Sequence, residues 1–274
     1  MGTKLKSNPT TVSITAKPPG PDAGGAGYYI DFTTAALQDP LSAGGVWTNN
    51  SQGTGGNVAC VDKASMRVAL AKDGVTKIAQ HAAAPVSGYN DSFAFVPGIS
   101  ANGNIRVTVT IYRHPNYQPQ TPPDNHELEI ILGCKVPGAK NSKWVECLLN
   151  NNGGGSSDVI VLDGVNSNFK FVGQVLGNIP APYDGMMWRA ELDRSTNPHR
   201  VRWGWSDDGG ATWILGCDTQ GRPNENLITN LGDGAGIASY RTSLGGNPPS
   251  ESGGMGFRNF RAETYTGAGT AWKI

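Results

Sequence analysis

The sequence predicts an all-β protein, an antiparallel β-sandwich, and three observations carry that prediction. Runs in which apolar and polar residues alternate recur along the chain. Ile105, Val107, Val109 and Ile111 against Arg106, Thr108, Thr110 and Tyr112 form the cleanest of them. Turn formers separate the runs, and 38 Gly and 18 Pro in 274 residues suit many strands joined by tight turns. No window carries a 3.6-residue apolar period with caps, and no strand–helix–strand spacing occurs, which leaves antiparallel pairing.

Taken in order, residues 1–27 read as an extended arm. Pro9, Pro18, Pro19 and Pro21, with Gly20, Gly24, Gly25 and Gly27, build no packed element alone. Within the arm Val12, Ile14 and Ala16 alternate with Thr11, Ser13 and Thr15, the pattern of a strand added to a sheet edge. An unpaired strand is poorly stable. The arm is therefore expected to lie on its own domain or to dock on a neighbouring subunit.

Residues 28–274 read as one sandwich. Expected strands are Tyr28–Phe32, Gly45–Thr48, Met66–Ala71, Thr76–Gln80, Ser92–Val96, Asn104–Arg113, His126–Cys134 and Lys143–Leu149. They continue with Asp158–Leu162, Phe169–Val172, Met186–Asp193, a hairpin over His199–Asp218, Gly236–Arg241 and Met255–Tyr265. Thr33–Leu37 has room for one helical turn. The polar stretches His114–Asn125 and Asn150–Ser157 read as surface loops, where binding residues tend to collect.

The hairpin is the most strongly patterned stretch. Val201, Trp203 and Trp205 alternate with Arg200, Arg202 and Gly204, and Ser206-Asp207-Asp208-Gly209-Gly210 supplies the turn. Ser206, Asp208, Gly210, Thr212 and Trp213 also match S-x-D-x-G-x-T-W, and so resemble the Asp-box of sialidases and other secreted or viral β proteins. That resemblance implies a folding device: Asp and Ser tie the turn to backbone donors while Trp packs beneath. A sialidase propeller needs several such boxes at regular spacing and an arginine triad. This chain has one box and no internal repeat.

Composition excludes several classes. Lys+Arg and Asp+Glu are both 22, giving zero formal charge, so binding nucleic acid through bulk charge is not expected. No apolar run is long enough for a membrane span. The opening MGTKLKSNPTTVS lacks the apolar centre of a signal peptide, and Lys6 stands where a myristoylation signal needs Ser or Thr. Synthesis in a cytoplasm without secretion is the expectation, so the sequons at Asn49 and Asn90 carry no weight. Cys60, Cys134, Cys147 and Cys217 show no C-x-x-C spacing and are expected as free thiols. A turn near Pro137–Lys140 sets Cys134 opposite about Lys143, which disfavours a Cys134–Cys147 bridge.

The opening Tyr29-Ile30-Asp31-Phe32 with Val46-Trp47-Thr48, the central strand Asn125–Leu132 (NHELEIIL) and the closing Gly256–Ala262 resemble, in layout, the concanavalin A-like jelly rolls: lectin, laminin-G-like and glucanase-like sandwiches. The resemblance spans about Tyr28–Thr266. It implies a jelly-roll sandwich with a sugar-facing concave sheet. Glu127 and Glu129, two apart on one strand, share a face opposite Leu128, Ile130 and Leu132. Glucanases of this fold place an acid and a nucleophile about 5 Å apart on alternate positions of one strand. Here their E-x-D-x-x-E pattern is incomplete, because Ile130, Ile131 and Leu132 follow Glu129. The alternative is a solvated face whose acids pair with Arg106, Arg189 or Arg202. These five residues, Arg106, Glu127, Glu129, Arg189 and Arg202, are the candidate ligand-binding set.

Other chemistry is thin. Alginate-lyase-type jelly rolls use Arg, Gln, His and Tyr; Gln80, His81 and Tyr112 occur here, but no Q-x-H element does. His126 beside Glu127 is a candidate proton shuttle or a polar strand start. No Ser-His-Asp order, P-loop or H-E-x-x-H is present. No metal or cofactor is expected, although Ca²⁺ at the acidic turns Asp207-Asp208 and Asp218 is conceivable in lectin-like sandwiches. Trp188, Trp203 and Trp205 read as core; Trp47, Trp144 and Trp272 lie nearer loops, where an exposed indole stacks on sugars.

The functional expectation is a non-enzymatic structural or adhesion module of a viral particle, a tailed phage, with a lectin-like sandwich displayed outward and anchored by residues 1–27. Its partners would be other virion proteins, copies of itself and a surface glycan, with no nucleic acid and no membrane. The alternative is a polysaccharide hydrolase or lyase using Glu127 and Glu129.

Overall fold

The computed structural model describes residues 27–48, 66–81, 88–117, 126–134, 143–150, 156–163, 168–172, 174–175, 180–243 and 253–274. The expected arm, with Val12, Ile14 and Ala16, lies outside the described residues apart from Gly27, and so does Cys60. In chain order the strands are β1 (Gly27–Asp31), β2 (Arg67–Leu70), β3 (Lys77–Gln80), β4 (Gly88–Val96), β5 (Asn104–Arg113) and β6 (His126–Cys134). They continue with β7 (Lys143–Asn150), β8 (Ser156–Asp163), β9 (Asn168–Phe171), β10 (Gln174–Val175) and β11 (Met187–Asp193). The last are β12 (Arg200–Ser206), β13 (Trp213–Asp218), β14 (Gly234–Ser243), β15 (Met255–Tyr265) and β16 (Trp272–Lys273).

The strands form two sheets. The larger has ten strands and runs β10-β13-β12-β11-β5-β15-β3-β2, with β1 added to β15 and β16 to β13. The smaller has six, in the order β4-β14-β6-β7-β8-β9. All pairs are antiparallel except β13 with β16.

Alternation decides which side chains meet between the sheets. Ile105, Val107, Val109 and Ile111 of β5 join Trp188, Ala190 and Leu192 of β11 and Val201, Trp203 and Trp205 of β12 in one cluster. The six-stranded sheet contributes Leu128, Ile130 and Leu132 of β6, Val145 and Cys147 of β7, Val159 and Val161 of β8 and Ile237 of β14. Trp188 and Trp203 are wholly buried with ring centroids 5.6 Å apart, and burying side chains of this size contributes upwards of about 2 kcal/mol each. Cys147 lies opposite Ile130, four residues out of register with Cys134, and the irregularity at Gly133 (φ 72°) turns Cys134 to the other face; no bridge joins them.

Two irregularities tune the larger sheet. Phe257 and Phe260 both face the core although they are three apart, and a bulge between Phe257 and Asn259 absorbs the odd residue. The Asn259 side chain covers the gap: its Oδ1 accepts the Thr110 amide at 3.0 Å and its Nδ2 donates to the Thr110 hydroxyl at 2.9 Å. A second bulge lies at Trp203/Gly204, where β12 and β13 approach very closely. A Cβ at Gly204 would stand 1.8 Å from the Ile214 carbonyl oxygen and 2.9 Å from the Trp272 ring.

Some expected elements come out differently. Gly45–Thr48 is not a strand; only Thr48 bridges, to Phe95, because Leu41–Gly44 is a 3-10 turn leading into Gly45 at φ 78°. Thr33–Leu37 closes a single turn, held by the Ala35 amide on the Asp31 carbonyl at 3.1 Å. The two-residue strands β10 and β16 are too short to leave a periodic signal. Trp47 is core rather than loop surface, with its ring 4.9 Å from Phe260 and its indole donating to the Tyr28 hydroxyl.

Two outcomes follow from this packing. Gly204→Ala lowers stability by about 2–3 kcal/mol, measured as a lower urea midpoint at unchanged slope. Burial pushes the Cys147 thiol well up, and the neighbouring Cys217 and Glu146 act in the same direction. A Cys60→Ser chain therefore leaves its three remaining thiols silent toward Ellman's reagent until urea is added; a thiol reacting at once in native buffer contradicts this packing.

Candidate functional site

The outer face of the six-stranded sheet is built by the residues that alternate with its core positions. β6 turns Glu127, Glu129 and Ile131 outward, while β14 offers only Gly236 and Ala238 beside Ile131 and Glu129. β4 adds Phe93 and Phe95, and β7 adds Trp144, Glu146 and Leu148. The registry forms rows: Phe93–Ala238–Glu129–Leu148, and next to it Phe95–Gly236–Ile131–Glu146. The small residues of β14 are packed tightly: a Cβ at Gly236 would stand 2.6 Å from Phe95 Cβ. Phe93 lies 5.7 Å from Trp144, and Phe93, Phe95, Ile131, Cys134, Trp144 and Ala238 form a second apolar cluster.

Three carboxylates share this face: Glu127 is 8%, Glu129 3% and Glu146 7% exposed. Glu146 accepts a hydrogen bond from the Trp144 indole at 2.8 Å. The expected solvated acidic face is thus corrected to a buried one. Glu146 escaped attention in the sequence. Its signal was present, since Trp144 and Glu146 alternate with Val145 and Cys147, but only strand pairing places it beside Ile131 and diagonal to Glu129. Chemically, the face combines carboxylate acceptors with buried aromatic rings.

The structure does not bring the expected arginines here. Arg106 (β5), Arg189 (β11) and Arg202 (β12) belong to the ten-stranded sheet and point away from the core on its opposite outer face. Parity forces this, because Val107, Ala190 and Trp203 beside them are core residues. The proposed pairing of Glu127 and Glu129 with these arginines is therefore corrected. The acids of Arg106 and Arg202 are Glu191 and Glu263, whereas Arg189 bonds Thr108 and Thr270, and the row Arg202–Glu191–Arg106–Glu263 alternates in sign across four strands. Arg106 donates to Glu191 at 2.8 Å and stands 3.7 Å from Glu263, with its guanidinium 4.7 Å from the Tyr265 ring centroid. Arg202 reaches Glu191 at 3.2 Å. The wholly buried Glu191 also accepts the Thr270 amide at 2.9 Å and its hydroxyl at 2.6 Å, which straps the chain after β15 over the row.

The remaining candidates are held structurally. His126 faces inward, its ring between the Tyr117 hydroxyl (2.6 Å) and the Ser239 hydroxyl (3.1 Å), away from Glu127. Gln80 donates to the Leu70 carbonyl, and Tyr112 donates to Asp73 on the larger sheet, so they share no site with β6. In the β12–β13 turn, Asp208 accepts from the Thr212 hydroxyl and amide and the Ser206 hydroxyl, and these bonds hold its carboxyl well below the usual range. Gly209 and Gly210 take φ of 72° and 92°, which the turn requires. Asp218 pairs with Arg200 and accepts the Gln220 amide. Among the described residues no group of three or more His, Cys, Asp or Glu is placed to hold a metal ion. Trp144 is buried and Trp272 half-buried against Trp213, so neither stands free in solvent. Among the described residues no helix is long and apolar enough to cross a membrane.

Glu191 sets up a sharp test of the charged row. Glu191→Ala strands Arg106 without its main counter-charge and lowers stability by about 3–5 kcal/mol in chemical unfolding.

No protein-family model matches the sequence, and no curated protein matches it significantly. Among solved structures the chain is similar to an endo-1,3-beta-glucanase from Streptomyces sioyaensis, with TM-score 0.52 and 10% identity over 90% of this chain and 100% of that one. It is also similar to peanut lectin, at TM-score 0.44 and 12% identity, covering 89% of this chain and 100% of the lectin. A GH43 protein from Bacillus licheniformis matches at TM-score 0.37 and 14% identity over 64% of this chain, which spans only 33% of that protein's length. Sequence identity at this level speaks to architecture alone. Two antiparallel sheets, together with the likeness to the glucanase, give this chain an antiparallel jelly-roll β-sandwich fold.

Proposed function

We propose that the chain is a carbohydrate-binding sandwich holding sugar on the outer face of its six-stranded sheet, around Glu127, Glu129, Glu146 and Trp144. One observation carries the reading: three carboxylates, each less than 9% exposed, gather on the side of a sheet that faces away from the core. Glutamate is almost never so buried without a specific role or partner, and clusters of this kind mark functional sites. Carboxylates accept sugar hydroxyls, and indole and phenyl rings offer the apolar face of a pyranose a flat partner. The reading accords with the fold, which an endo-1,3-beta-glucanase shares.

The setting we propose is display on a viral particle, a tailed phage, with residues 1–27 as the anchor and neighbouring particle proteins or copies of the chain as partners. Its support is the arm's composition and the strand-like Val12, Ile14 and Ala16. We also read Ser206, Asp208, Gly210, Thr212 and Trp213 as an Asp-box that stiffens the displayed hairpin.

Glycoside hydrolysis is the second reading, and Glu146 favours it. The acid missing from the β6 sequence pattern has a counterpart on the adjacent strand. A retaining mechanism needs two carboxyl groups about 5–5.5 Å apart, one as acid and base, the other as nucleophile.

A panel of neutral oligosaccharides, read by calorimetry and by released reducing ends, separates the two. Binding without release, weakened about tenfold by Glu127→Gln, Glu129→Gln or Glu146→Gln, is the expected result. Sustained release that Glu127→Gln or Glu129→Gln abolishes establishes the hydrolase. A native chain that binds no sugar of the panel overturns both.

A further inference from the structure

The ten-stranded sheet carries a groove of 760 Å³ on the face away from the core. Its floor is a second row across four strands, Arg189–Thr108–Arg261–Tyr29, contributed by β11, β5, β15 and β1. Asn259 lies in the next row. Gly209–Ala211 of the β12–β13 turn forms one wall, and the segment from Thr264 to Ala271 the other.

The floor row holds two guanidiniums and no carboxylate. Arg189 and Arg261 flank Thr108, two strand spacings or about 9.6 Å apart along the sheet. Arg189 is rigidly mounted: its Nε donates to the Thr108 hydroxyl and its Nη1 to the Thr270 hydroxyl, both at 3.1 Å, and its guanidinium lies 4.0 Å from the Trp213 ring centroid. Arg261 gives its Nε (2.9 Å) and Nη2 (2.7 Å) to one oxygen of Glu263, which leaves the Nη1 side of the fork for a ligand, and keeps 28% of its side chain exposed. Three arginines, Arg106, Arg189 and Arg261, line the groove against a single carboxylate, Glu263. Glu191 cancels Arg106 and also touches Arg202, while Asp208 and Asp31 accept hydrogen bonds from Thr212 and Thr33. With Arg106 paired to Glu191, the groove lining still sets Arg189 and Arg261 against one carboxylate, Glu263, and the walls shelter that positive floor from solvent screening.

We infer that this groove binds an acidic saccharide, with a uronate carboxylate against the guanidiniums of Arg261 and Arg189 and the sugar ring beside Tyr29. The planar guanidinium fork matches a carboxylate. The half-buried Tyr29 ring supplies the apolar contact, while Asn259 and the groove threonines supply partners for hydroxyls. The site is independent of the six-stranded face and stands or falls separately from it.

Calorimetry on the full chain with oligogalacturonate and with its methyl-esterified form tests this. The acid form is expected to bind, and esterification, which removes the charge, to weaken it about ten- to a hundredfold. Affinity falls as salt is raised. Arg261→Gln reproduces the loss, Tyr29→Ala weakens binding without touching the charge, and Glu127→Gln leaves it unchanged; circular dichroism checks the fold of each. If Arg261→Gln fails to fold, Tyr29→Ala decides. The proposal is overturned if the acid form does not bind, if both forms bind equally, if Glu127→Gln abolishes binding, or if the folded groove variants bind as the native chain does.

Discussion

The shared interior of the two sheets is the constraint from which the rest follows. Ile105, Val107, Val109 and Ile111 must meet Leu128, Ile130 and Leu132 across a dry layer, and a strand has only two faces. Arg106 of β5 is thereby sent to one outside of the molecule, and Glu127 and Glu129 of β6 to the other. No mixing is open to them. The two outer surfaces of this protein, one acidic and aromatic and one arginine-rich, are by-products of the parity that closes the core.

The two surfaces neutralise their charge in different ways. On the ten-stranded sheet the row Arg202–Glu191–Arg106–Glu263 alternates in sign, and Thr270 completes the coordination of Glu191 from a segment that crosses it. Desolvation of these groups is offset because every neighbour in the row is of opposite sign. On the six-stranded sheet the acids are like-charged and set among Phe93, Phe95, Ile131 and Trp144. That grouping of acids and rings is the one on which the sugar-binding proposal rests.

Much of this was legible in the sequence, and the losses have identifiable causes. The alternation of β5 and β6 and the turn chemistry at Ser206–Gly210 are local, so they place strands, a hairpin and the inward set of Trp188, Trp203 and Trp205. The sharing of a face by Glu127 and Glu129 is equally local. What a single strand cannot disclose is its sheet. Arg106, Arg189 and Arg202 alternate correctly with apolar residues, yet nothing in those runs says that β5, β11 and β12 lie across the core from β6. Glu146 was missed for the same reason. Its relation to Glu129 exists only in the β6–β7 registry. Trp47 was misplaced because a single isolated bridge and an aromatic contact with Phe260 leave no periodicity to read.

The bulge in β15 has a last implication. Arg258 and Asn259 together stand opposite Thr110, so Arg258 has no partner of its own on β5, although its carbonyl accepts the Phe32 amide at 2.9 Å on the other side. A chain shortened by that residue could keep each partner from Met255–Arg113 to Tyr265–Asn104. Arg258 earns its position through its side chain instead: it grips both oxygens of Asp184 at 2.8 Å and lies 5.0 Å from the Tyr112 ring centroid. A supernumerary amino acid here acts as an external rivet, fastening the sheet to the loop before β11 at no cost to the order of the strands.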